Sequence, residues 1–427
     1  YSTAMLRKVD VPAWKVTLAT LAAAAITIAL VVAAALAPLA DRRARAAAAA
    51  LVALVGFTLF KEGVVRTDAS HLTLYFSSAC LLWVALPWQP GAGRWLLLGG
   101  AVTIAAIGLP VRPPGLPTNL DAVANVRFAT EQARTLLSGS RRERLIAEGG
   151  AGMRAIYRLD PRSRAALEGH SVAVEPWEVG AAWAYGLDWR PLPVFQDYSA
   201  YTAKLDRLNA EQVESPEGPE RILRENQQLV FAEFPTADLD GRYLGWDPPE
   251  QARAVLCNFA PLRTTDRWQV LGRVPDRCGA PRPVGSAEGG YGDPVQVPAP
   301  GPDEVVFVRI HGAGVAGLER LLSAALHARV RQIVVNGADT YRLVPETAGD
   351  GLMLRGGTRV TAGESPAFAT IPQAKTIELR GASGELRFDF YAMRVAPPAA
   401  SPGGDQLPRT AGCREPRRAA APACRAR

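Results

Sequence analysis

The sequence predicts an α-helical membrane domain of about four transmembrane helices, followed by a soluble α/β domain and a C-terminal β-sandwich-like domain. Three observations carry this reading. Residues 14–113 are almost continuously apolar. Residues 165–280 alternate short β-type runs with helical periods, the pattern of an α/β domain. Residues 303–397 consist largely of alternating, β-branched runs and include an Asn336-Gly337 hairpin signal.

The 427-residue length allows two or three domains. A hydrophobic fraction of 48% conceals the division between an apolar first quarter and a soluble remainder. That division excludes a disordered chain and a simple cytosolic enzyme. Because the chain begins at Tyr1, a fragment of a longer protein is expected. The net charge of +7 does not imply nucleic acid: the arginines are scattered, and no recognition helix, zinc finger or aromatic single-strand platform is present. Orientation in an anionic membrane is reason enough for a modest basic excess.

Residues 14–40 carry one early charge, Lys15, and are long enough at ~1.5 Å per residue to cross a ~30 Å hydrocarbon core. The run is too long for a cleaved signal peptide. A polar turn at Asp41, Arg42, Arg43 and Arg45 leads to a second span at about 46–65. A third is expected at 71–88 and a fourth at 95–112, with Tyr75, Trp83, Trp88 and Trp95 as interfacial anchors. Lys and Arg are nearly balanced between the two sides. The arginine turn places 41–45 in the cytoplasm, and hence 61–71 and everything after 113 outside.

Residues 114–164 open with a proline-rich exit and continue as helices near the membrane surface. In the α/β domain, strands are expected at 171–176, 191–196, 228–231 and 268–274, and helices at 179–185, 200–213 and 250–257. A Gly/Pro-rich linker, 281–302, separates this domain from the β-rich one, which one helix at 317–328 interrupts. The tail, 398–427, reads as disordered. Cys80 lies mid-span as a small apolar residue. Cys257 and Cys278 bracket the 268–274 strand, and a disulfide closing that loop would require an oxidising compartment. Zinc competes for these cysteines, but neither a C-x-x-C pair nor clustered histidine supports it.

Three constellations carry candidate chemistry. Lys61, Glu62, Arg66, Asp68 and His71 share the short loop between the second and third spans. A carboxylate or imidazole there would deprotonate an acceptor hydroxyl, and Lys61 or Arg66 would hold a lipid-linked phosphate. Alternatively, the same charges anchor two helices at the headgroups. The second is Gln196, Asp197, Tyr198 and Tyr201 with Asn209. They lie at a strand-to-helix turn, where aromatic rings stack on a sugar and polar groups bond its hydroxyls. Helix capping and packing are the competing roles. In the third, Asp238 and Asp240 have D-x-D spacing, but Asp240-Gly241 is first a turn signal. No metal or cofactor motif stands out.

The segments Phe60–His71, Pro193–Thr202 and Tyr341–Pro345 resemble blocks of bacterial polytopic envelope proteins of the glycosyltransferase type, of which this chain would be the C-terminal part. The resemblance implies a multi-pass protein of the bacterial cytoplasmic membrane with extracytoplasmic C-terminal domains. It also implies transfer of a sugar from a polyprenyl-phosphate-linked donor to an envelope glycan or lipid acceptor. In that family a carboxylate of an external loop acts as base, and Glu62 or Asp68 would match it. A non-enzymatic, membrane-anchored ectodomain that binds glycan or a partner protein is the alternative.

Overall fold

The computed structural model describes residues 13–66, 69–108, 122–225, 241–323, 326–363 and 371–397. Four helices come first: α1 (Ala13–Ala35), α2 (Arg42–Arg66), α3 (Ala69–Ala85) and α4 (Ala92–Gly108). The apolar stretches Thr17–Ala35 and Arg42–Val64 are long and apolar enough to cross a membrane, whereas α3 and α4 are shorter apolar helices of 17 residues each. Ala19, Ala23, Ile26, Leu30 and Ala34 recur every three or four residues and form one face of α1. That face packs on Val52, Phe60 and Val64 of α2 and on Leu72, Tyr75, Phe76 and Ala79 of α3. The Tyr75 hydroxyl donates to the Ala23 carbonyl at 2.5 Å and lies 2.8 Å from Thr27 Oγ1, so a polar pair fastens α3 to α1. Trp83 packs where α4 has Gly100, and a Cβ there would lie 2.2 Å from the indole.

Helices α5 (Ala122–Leu137), α6 (Gly139–Tyr157) and α7 (Pro161–Leu167) follow. Ser138 caps α6 and Asp160 caps α7, each through a side-chain oxygen that accepts first-turn N–H groups.

The α/β domain is a five-stranded sheet in the order β2-β1-β3-β5-β4. Its strands are β1 (Ser171–Glu175), β2 (Asp188–Trp189), β3 (Arg221–Glu225), β4 (Phe259–Thr264) and β5 (Trp268–Arg273). β1 runs parallel to both β2 and β3; β5 is antiparallel to β3, and β4 to β5. Alternate residues serve two cores. Val172, Val174, Leu223 and Val270 pack with Tyr157 and with α8 (Gly180–Tyr185). Ala173, Ile222 and Leu271 pack with α9 (Ala203–Glu214) and α10 (Pro249–Asn258). A sheet buried on both faces explains why β1 reads as a continuous apolar run.

The second expected strand, 191–196, is absent. β2 is only Asp188–Trp189, because Pro191 and Pro193 lack the N–H groups that a ladder needs. The expected strand at 228–231 lies outside the described residues, and β3 occurs just before it.

Two four-stranded sheets complete the described residues, ordered β10-β9-β12-β7 and β11-β8-β13-β6. Their strands are β6 (Arg282–Gly290), β7 (Val295–Gln296), β8 (Glu304–His311), β9 (Arg331–Val335), β10 (Asp339–Leu343), β11 (Leu352–Gly356), β12 (Thr376–Arg380) and β13 (Glu385–Arg394). Both sheets contribute to one core, with Val306, Val308 and Ile310 meeting Ile333, Val335, Ile377 and Leu379. The expected linker therefore contains two strands. β6 is an edge strand with mostly small or polar residues, so it has no apolar alternation to reveal it, yet it pairs with β13 along nearly its whole length. Asn336 and Gly337 turn the β9–β10 hairpin at φ values of 53° and 70°. The expected helix at 317–328 is shorter: α11 spans only Gly317–Leu322, and α12 is Thr358–Gly363.

α10 is covered on two sides. Ala254 and Val255 face the α/β core, while Leu256 and Cys257 pack on Val305, Phe307 and Met393 of the β8–β13 sheet. Cys257 is joined to Cys278 by a disulfide, and Cys278 forms a bridge with Val395 beyond β13. The α/β and β-rich parts are thus joined through α10 by packing and by a covalent bond.

Candidate functional site

β2 lies on one side of β1 and β3 on the other, so the chain reverses its direction of sheet building between them. Parallel sheets bind ligands in the crevice at the carboxyl ends of such strands. Here those ends carry charge: Glu175 closes β1, and Arg224 and Glu225 close β3. Arg224 donates to Glu175 Oε2 from Nη2 at 2.7 Å and from Nε at 3.0 Å. The other oxygen, Oε1, accepts from Gln251 Nε2 on α10 at 2.8 Å. The same Gln251 nitrogen donates to Asp197 Oδ2 at 3.0 Å, and Gln251 Oε1 accepts from Asn209 Nδ2 at 2.8 Å. Asn209 also exchanges two hydrogen bonds with the Val194 backbone, at 2.8 and 3.2 Å. One glutamine therefore binds a strand end, a loop and a helix together.

This network forms a floor. Glu175 and Gln251 are 2% exposed and Asp197 is 6% exposed. Burial, and secondarily the charge of Glu175, holds the Asp197 carboxyl well above the usual carboxylate range. On the opposite face of β3, Glu225 pairs with Arg267 at 3.0 Å, and burial raises its pKa, with the Glu178 charge adding to the effect. The rim is only partly buried. Trp177 and Tyr198 meet edge to face with centroids 6.0 Å apart, and Trp177 Nε1 donates to Glu178 at 3.1 Å. Arg242 lies beneath, 5.7 Å from the Tyr198 ring centroid and 5.5 Å from that of Tyr201, ion-paired with Asp247. An aromatic corner beside Glu178 can stack on an apolar sugar face and bond its hydroxyls.

The sequence-predicted residues divide accordingly. Asp197 lies in the floor, while Gln196 and Tyr198 are partly exposed at its edge. Tyr201 and Asn209 were expected to contact sugar, but they are turned inward. Tyr201 is 5% exposed and packs on Val344, and Asn209 is fully buried. Thr202 caps α9 by accepting from the Leu205 N–H. Glu175, Trp177, Arg224 and Gln251 were not identified from sequence. A signal existed, because a charged residue ending an apolar parallel strand calls for a partner.

The described residues of the 60–71 cluster are helical rather than looped. Lys61, Glu62 and Arg66 lie on the last turns of α2 and His71 on the first turns of α3. Glu62 Oε1 is 3.5 Å from His71 Nε2. Asp68 and the D-x-D pair Asp238 and Asp240 fall outside the described residues. A third carboxylate group lies elsewhere: Asp206, Glu250 and Asp350 bring one oxygen each within 4.8 Å of one another. Asp206 accepts the Glu250 and Gln251 N–H groups at 2.8 Å each, so its two oxygens are engaged in capping α10.

The chain matches no family model, no curated protein and no solved structure.

Proposed function

We propose that this chain is a multi-pass protein of the bacterial cytoplasmic membrane. In this reading, α1–α4 all span, the soluble part lies outside, the two four-stranded sheets form a sandwich, and the α/β domain binds envelope glycan at the carboxyl ends of β1 and β3. The helices support the membrane assignment. Ala19, Ala23, Ala34 and Ala79 face inward, while Leu18, Leu21, Ile28, Leu54, Leu81 and Leu96 point outward, more than half exposed. In water such a surface would be unsatisfied; in lipid it is solvated. The Cys257–Cys278 disulfide favours an oxidising compartment. The observation that carries glycan binding is the half-buried Trp177–Tyr198 corner, close in the chain to the Glu175 and Asp197 carboxylates that Gln251 joins.

The test is binding of the detergent-solubilised full chain to an array of soluble envelope oligosaccharides. Trp177→Ala and Tyr198→Ala should each weaken binding about tenfold, the scale of one lost aromatic contact of ~1.4 kcal/mol. Binding unaffected by both, in proteins that melt like the parent, refutes the site.

The Glu62–His71 pair near the end of α2 favours a second reading, a transferase that uses a polyprenyl-phosphate-linked sugar. In proteoliposomes supplied with such a donor, Glu62→Gln and Asp68→Ala should then abolish turnover. Unchanged turnover in both variants rejects these residues as the base.

A further inference from the structure

We infer that α5, with the arginine-rich start of α6, lies along an anionic bilayer surface, its apolar stripe in the headgroup region and its arginines over the lipid phosphates. The inference rests on the membrane reading of α1–α4. Helix α5 is almost wholly exposed along residues 123–137, and α6 is its one substantial neighbour among the described residues, met at their junction. Val126 is 66% exposed, Leu136 70% and Leu137 89%. A lone helix of this length is marginal in water, so this face requires a cover.

The cover is identified by pattern and charge. At 100° per residue Val126, Ala129, Ala133, Leu136 and Leu137 share one side, with Arg127, Glu131, Arg134 and Thr135 opposite. Phe128 lies off the stripe, and Val123 sits between the stripe and Arg134. Across residues 122–144 there are five arginines against two glutamates. Glu131 holds Arg134 at 2.7 Å and Arg141 at 2.8 Å, which fixes the α5–α6 corner. Arg127 and Arg144 add further positive charge beside it, and α5 begins 14 residues after α4 ends. A basic polar face, a moderate apolar stripe and proximity to apolar helices together describe an interfacial helix.

A second copy of the chain fits less well. The 3–4 spacing through Val126, Thr130, Ala133 and Leu137 would give a seam of about two heptads with Thr and Ala in its core, too short and too small for a coiled coil.

The experiment uses the full chain with Cys80, Cys413 and Cys424 changed to Ser. Single cysteines carrying an environment-sensitive fluorophore replace Val126, Leu137, Thr135 or, as a control in α1, Ile28. The protein is reconstituted into phosphatidylcholine vesicles with or without phosphatidylglycerol. With the anionic lipid present, probes at 126 and 137 should be quenched by lipid-borne nitroxide and shielded from aqueous iodide, and the probe at 135 should behave oppositely. Changing Arg127, Arg142 and Arg144 to Gln should lower the docked-to-free ratio by roughly fivefold per arginine, as should removing phosphatidylglycerol or adding salt. Iodide access at 126 and 137 with nitroxide quenching at 28 overturns the inference alone. Absence of nitroxide quenching at 28 overturns the membrane reading beneath it. Shielding at 126 that persists without anionic lipid, with cross-linking of Val126→Cys between chains, replaces the bilayer by a second copy.

Discussion

Gln251 is the side chain on which the site floor depends, and its replacement by Met isolates that role. Methionine keeps the length and most of the volume but has no strong donor or acceptor. The change leaves Glu175 Oε1 and Asp197 Oδ2 without the Gln251 N–H groups that reach them at 2.8 and 3.0 Å. Asn209 loses one acceptor but retains the Val194 carbonyl at 3.2 Å. Each stranded buried polar group costs about 1–3 kcal/mol, so the expected loss is about 4 kcal/mol. At ~2–4 °C per kcal/mol for a unit of this size, the melting temperature of the α/β and β-rich part should fall by roughly 10 °C. Tryptophan fluorescence of the full chain in detergent reads this, since Trp268 is buried in the same sheet. Gln251→Glu sharpens the test. It places a third carboxyl against Glu175 and Asp197, so at pH 7.5 it should destabilise more than Gln251→Met. On acidification to pH 5 it should recover several degrees as the new group takes a proton and donates again. A Gln251→Met protein melting within 2 °C of the parent, with Gln251→Glu showing no pH-dependent recovery, would refute the network as a stabilising unit.

Other outcomes follow from the same structure. Burial, outweighing two backbone N–H bonds, pushes Asp206 up from 3.8 to about 7. The folded carboxyl keeps its proton to higher pH than the unfolded chain does, so its stabilisation is complete below the unfolded value and is lost as pH rises to about 7. The slope is about 1.4 kcal/mol per pH unit between ~5 and 7, and Asp206→Asn should flatten it in a series of melts against pH. Breaking the Cys257–Cys278 bond, by reductant or by Cys278→Ser, opens a link with a sequence separation of 21 and should cost about 3 kcal/mol, measurable as a lower melting temperature. In the β12–β13 turn Gly381 has φ +94°, and a Cβ would lie 2.0 Å from the Val330 carbonyl oxygen. Gly381→Ala should therefore cost about 2–4 kcal/mol and reduce the yield of folded protein; a normal yield and melt would show that the turn can move.

Local pattern accounts for much of what the sequence shows. The apolar runs give α1–α4 their positions, because continuous hydrophobicity over 17–25 residues admits few other conformations. β1, β5 and β8 are legible from β-branched runs, and the β9–β10 hairpin from Asn336-Gly337, since these preferences act within a few residues. The pairing of Cys257 with Cys278 could be suggested because the two cysteines bracket one strand. Contacts between distant segments decided the rest. β6 becomes a strand only because β13 offers its edge, and 191–196 is not one because its prolines cannot join a ladder. Asp197 stands out in sequence as a polar residue beside aromatics, and Asn209 as a polar residue on the helix that follows, the same signal a solvent-facing site would give. Their burial depends on Gln251, 54 and 42 residues away, and on Glu175 at the end of a strand. Periodicity records which face of an element is apolar, whereas the partner of a buried charge is set by which elements the topology brings side by side, and here that is α10 against the ends of β1 and β3.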